Sequence, residues 1–165
     1  MCSSDLGYGL RSPWNLSLTF ASSLAFALAF NLMFFVQELF LVIPKALTPG
    51  LKPTLFHNNH DWTGTNPLAE LFQGTGAVAT LIVGLTLLLW ATRRSPGSAG
   101  ARLVVVWAGL LGVLSALLQV MIGTAVPQND VGRAMTYLGL QPFAKFWACV
   151  AAVMVMALEI GRAHV

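Results

Sequence analysis

Charge is what this chain has least of: nine lysines and arginines and six aspartates and glutamates in 165 residues, 9% where a water-facing globular domain carries roughly 25%. That scarcity excludes an ordinary soluble domain. With 56% hydrophobic residues and a mean hydropathy of +0.73, the solvent expected for most of the chain is lipid. Cysteine is almost as scarce, with Cys2 near one end and Cys149 inside an apolar run, so cysteine usage does not report a redox compartment.

Further absences remove whole classes of function. None of the three histidines lies in an apolar run, which excludes a haem held between membrane helices. A glycine-rich phosphate loop after a strand is missing, as is the strained serine elbow of a hydrolase. Acids within apolar runs are too few for a long internal proton path, and no internal repeat supports an inverted-repeat transporter. The basic residues do not form a nucleic-acid patch, because three of them, Arg93, Arg94 and Arg102, crowd one short loop between apolar runs.

The two ends carry information of another kind. The string Ile160-Gly161-Arg162-Ala163-His164-Val165 can be encoded so that its reverse complement, read in a shifted frame from a GTG start, gives Met1-Cys2-Ser3-Ser4-Asp5. Both strings match a widely used sequencing adapter, and protein selection does not produce such a relation. Residues 1–6 and 159–165 are therefore read as non-native and kept out of functional reasoning, leaving 7–158 as a single membrane domain expected to be a fragment. Eight basic and four acidic residues remain there.

What is present is four apolar runs, at about 17–43, 67–92, 103–126 and 142–158. At 1.5 Å per residue each reaches or approaches the roughly 30 Å of a hydrocarbon core, and the first exceeds it, so that it must tilt or lift its last turns into the interface. Asn66 and Pro67 form a good start for the second run, as N-cap and first-turn proline. Arg93 to Ser98 and Pro127 to Asp130 supply the breaks on either side of the third. Small residues recur every fourth position, at Ala21, Ala25 and Ala29, at Gly76, Thr80 and Gly84, and at Ala108, Gly112 and Ala116, a spacing that lets helix backbones approach closely in lipid.

The expected fold is an all-α integral membrane bundle of four transmembrane helices with one ordered extracytoplasmic loop. The basic loop and Arg11 place both termini in the cytoplasm, in a bacterial-type cytoplasmic membrane. The 44–66 loop and the turn at Asp130 then face outward, a contrast that Lys45, Lys52 and Arg133 weaken.

Two sets of residues are candidates for chemistry. The outer loop reads Leu55-Phe56-His57-Asn58-Asn59-His60-Asp61-Trp62, and His57, His60 and Asp61 are the donor types that suit a divalent transition metal. The plainer reading is a polar loop of turn residues anchored at the headgroups by Phe56 and Trp62. Glu38 lies inside an apolar run, where a carboxylate is costly and a functional candidate by default. Asn31 stands seven residues earlier on the same helix face, expected to point into the bundle and hydrogen-bond across helices. Gln119 and Lys145 fall in the same outer half, and a Glu38–Lys145 ion pair is the ordinary structural solution for two charges there.

One shared outer pocket of Glu38, Gln119, Lys145, His57, His60, Asp61 and Glu70 is set against independent pairing and solvation of each group. The leading expectation is a non-enzymatic transport component or subunit of a larger membrane complex, with the bilayer and other membrane helices or a partner subunit as neighbours. The alternative is a membrane-embedded metalloenzyme in which Glu38 or Glu70 serves as ligand or general base.

Overall fold

The computed structural model describes residues 16–56, 59–94 and 97–162, with backbone alone for 159–162. In chain order the elements are α1 (Leu16–Ala46), β1 (Lys52–Leu55), β2 (His60–Thr63), α2 (Leu68–Phe72), α3 (Thr75–Arg93), α4 (Ala99–Ala125), α5 (Asp130–Tyr137) and α6 (Pro142–Arg162). Three helical stretches are long and apolar enough to cross a membrane: Leu16–Ala46, Leu68–Arg93, which joins α2 and α3, and Ala99–Ala125. The apolar part of α6, Pro142–Leu158, is shorter than these.

Helices α1, α3 and α4 pack on one another, and α6 packs on α4. Their contacts run along the small-residue stripes. A Cβ placed on Gly84 would lie 2.8 Å from the Gly109 carbonyl oxygen and 2.8 Å from the Val113 nitrogen, and one on Gly112 would lie 2.7 Å from the Thr80 carbonyl oxygen. Backbone therefore meets backbone between α3 and α4, as packing in lipid favours. Around that contact Ala29, Met33 and Ala108 form a buried cluster flanked by Val83, Leu87, Trp107 and Leu111. Large apolar side chains such as Leu24, Phe35, Ile82 and Met154 are left exposed on the outside of the helices.

Details differ from the sequence expectation in three places. The second run is interrupted: α2 ends at Phe72 and α3 begins at Thr75, Gln73 and Gly74 forming a tightened turn with helical dihedrals, and α5 packs against this junction, where a Cβ on Gly74 would lie 2.9 Å from the Ala134 Cβ. Asn66 does act at its start, its Oδ1 accepting from the Leu68 N–H at 3.0 Å. The stretch after Asp130 is the amphipathic helix α5, capped by Asn129, whose side chain accepts from the Val131 N–H at 3.2 Å, with Val131, Gly132, Ala134 and Met135 buried. The 44–66 loop contains a hairpin, β1 antiparallel to β2 in the register Lys52↔Thr63, Pro53↔Trp62, Thr54↔Asp61 and Leu55↔His60. Residues 57 and 58, His57 among them, lie outside the described residues.

Candidate functional site

The period of each element explains what it delivers to the hairpin end of the bundle. Along α1, Glu38, Leu41 and Lys45 are spaced by three and four residues and share a face. On β2 the strand alternation turns His60 and Trp62 toward that face and Asp61 and Thr63 away from it. The break between α2 and α3 adds Gln73 from the side.

Four of these side chains form one closed network. His60 Nδ1 is 2.8 Å from a Glu38 carboxylate oxygen, and His60 Nε2 is 2.9 Å from Lys45 Nζ. Lys45 Nζ also donates to Gln73 Oε1 at 3.1 Å. Burial is nearly complete, with Glu38 4%, Gln73 3% and Lys45 0% exposed. His60 Nε2 also lies 3.1 Å from Gln73 Oε1; since a carboxylate only accepts and an ammonium only donates, an Nδ1–H donating to Glu38 with Nε2 accepting from Lys45 satisfies both of the shorter contacts. Among the described residues, no buried side-chain nitrogen or oxygen is without a hydrogen-bond partner.

Trp62 closes the network from outside. Its ring stacks on His60 at 5.8 Å between centroids and lies 4.1 Å from Lys45 Nζ, with the Arg133 guanidinium 5.6 Å from the same ring. Arg133 also meets Glu70 at 3.6 Å, a half-exposed pair worth about 0–1 kcal/mol. Asp130, at the start of α5, lies within the field of this cluster. Burial pushes its carboxyl above the ordinary aspartate range, and the negative charge of Glu38 acts in the same direction.

The structure brings together some of the residues singled out from sequence and separates others. Glu38 and His60 meet, with Glu70 at the rim. Gln119 joins a neighbouring pair, its Nε2 donating to Gln37 Oε1 at 2.6 Å. Asp61 points to the opposite side of the strand, and His57 lies outside the described residues. Glu38 takes His60 rather than Lys145 as its partner; Lys145 is half-buried, its carbonyl 3.4 Å from the Thr124 hydroxyl. Asn31 is exposed, and its amide donates to its own helix at the Ala27 carbonyl, 2.8 Å away, instead of across helices. It does share the side of α1 that carries Glu38, but the hairpin covers only the outer turns of that side.

Metal ligation fits this arrangement poorly. The His60 nitrogen that would face a cation faces the Lys45 ammonium instead, and among the described residues no three histidine, cysteine, aspartate or glutamate side chains group as a ligand set. Lys45 and Gln73 are the members that sequence reasoning missed. The available clue for Lys45 is its spacing of seven from Glu38, one helix face over two turns. Comparison with family models, with curated proteins and with solved structures finds no match to this chain.

Proposed function

We propose that this chain is a four-span integral protein of a bacterial-type cytoplasmic membrane, with both termini cytoplasmic, α6 as the fourth span, and a non-enzymatic role as a subunit of a larger membrane complex or transport assembly. In this reading the hairpin is the part offered to a ligand or partner on the outer face. The Glu38–His60–Lys45–Gln73 network is the latch that fixes its pose.

The observation that carries the reading is the occupancy of His60. Both ring nitrogens are engaged inside the protein, one by Glu38 and the other by Lys45. That leaves the imidazole without the free, outward-facing nitrogen that a metal centre or general base needs. On the far side of β2, Asp61 is exposed, as is Phe56 beside the hairpin tip. The orientation is supported by the three arginines of the 93–102 segment, which stand at the end of α3 and α4 opposite the hairpin.

Metal analysis of the detergent-purified protein without a histidine tag separates this from the metalloenzyme alternative. A subunit with a latched hairpin gives far less than one transition metal per chain, equally in the wild type and in His57→Ala/His60→Ala. Near one metal per chain, lost in the double variant, overturns it.

A further inference from the structure

At the end of the bundle opposite the hairpin, one face of α3 carries Thr86, Leu89, Trp90 and Arg93 at spacings of three and four, with Arg94 following the last turn. These five residues line an open cleft of about 410 Å3. Its wall is apolar toward the middle of the helix, with Leu89 54% and Trp90 40% exposed, and cationic at the end. Among the described residues no other helix covers this face: α4 packs on the side of α3 that carries Gly84 and Leu88, and α1 meets α3 at Gly76.

The two guanidinium groups have no carboxylate partner among the described residues. The charged contacts found there, Glu38 with His60 and Lys45 and Arg133 with Glu70, sit at the other end of α3. From Thr75 to Arg93 that helix is about 27 Å long at 1.5 Å per residue, which puts those acids out of contact with either guanidinium. So two adjacent cations with fixed planar donors stand unneutralised directly above an apolar strip. The arrangement matches a molecule with a phosphate at one end and hydrocarbon at the other.

We propose that this face of α3 is a binding site for one anionic phospholipid, with the phosphate held between Arg93 and Arg94, the glycerol region against Trp90, and an acyl chain along Leu89 and Thr86. The proposal rests on the membrane reading above. It goes beyond it in assigning these arginines a ligand as well as a role in orientation. Arg102, in the first turn of α4, adds positive field at the same end without lining the cleft.

The test is native mass spectrometry of the full chain released from detergent after incubation with equal amounts of phosphatidylglycerol and phosphatidylcholine of identical acyl chains. Expected is one phosphatidylglycerol retained in preference to phosphatidylcholine by roughly ten-fold or more, the size of effect that two basic residues at a membrane surface supply. In Arg93→Gln/Arg94→Gln that preference should fall to near unity with circular dichroism unchanged, whereas Lys52→Gln, on the hairpin, should keep it. Equal retention of the two lipids by the wild type, or a preference that survives loss of both arginines, overturns the site. Failure of the wild type to enter vesicles of either lipid would instead overturn the membrane reading, so the two failures are distinguishable.

Discussion

The energetics of the network beneath the hairpin are decided by single groups. Removing one partner of a buried ion pair leaves the other uncompensated, at a cost of about 3–5 kcal/mol. Lys45→Met should therefore lower thermal stability in detergent sharply, and pairing it with Glu38→Gln should recover part of the loss, as a double-mutant cycle of unfolding midpoints would show. The proton on His60 can be located directly: with the imidazole labelled, its 15N shifts should show a protonated Nδ1 and a bare Nε2 at neutral pH. A protonated Nε2 would rule out the bond from Lys45. Asp130 gives a pH dependence of defined sign. Its carboxyl is raised in the folded protein, so the folded state favours the protonated form and the cost of the charge is greatest above the raised value. Asp130→Asn should raise the melting temperature at pH 7.5, with the advantage shrinking as pH falls toward the ordinary aspartate range. Legibility at this scale is uneven. A carboxylate in an apolar run makes Glu38 conspicuous, but a lysine at the end of a span is what snorkelling alone predicts, which hides Lys45. Asn31 is an intramembrane amide like any other until the limited reach of the hairpin is known.

Elements were most legible where hydropathy alone sets them. The long apolar runs and the small-residue stripes describe α1, α3 and α4 closely, because lipid exposure and backbone approach both act through residue type. Gly84 and Gly112 test the second point. Gly112→Leu should destabilise by about 1–3 kcal/mol through overpacking against the Thr80 carbonyl, whereas Gly100→Ala, with open space around its Cβ position, should be neutral or slightly stabilising. Thermal unfolding of the two variants side by side is the check. Less legible are α5 and the break before α3. Only eight residues long, α5 owes its position to contacts made far away in sequence: Val131 and Met135 pack with Ala77 of α3, and a Cβ on Gly132 would run into the Val126 carbonyl. The same packing at Gly74 falls at the interruption of an apolar pattern that is continuous in the sequence. A two-stranded hairpin is marginal by itself, so its four-residue strands leave a weak imprint on the chain and depend on the latch beneath them.

For the whole molecule, the acids are segregated by end. The described acids, Glu38, Asp61, Glu70 and Asp130, gather with the hairpin, α2 and α5 beside Lys45, Lys52, Arg133 and Lys145, while Arg93, Arg94 and Arg102 stand without acids at the other end of α3 and α4. In a Cys2→Ser/Cys149→Ser background, an impermeant maleimide applied to intact cells should label Asp61→Cys, and should label Ser98→Cys only after the membrane is opened; the reverse pattern would invert the orientation. Class and this polarity could be read in the sequence because composition carries both. The closed state of the site could not, because it depends on a turn, a strand register and a helix break acting together. Hydrogen exchange tests that closure most directly. Amides of residues 52–63 should be protected in the wild type and lose protection in His60→Ala, with α4 unchanged. A hairpin that exchanges fast in the wild type, or equally in both proteins, would mean that Glu38, His60, Lys45 and Gln73 do not latch it.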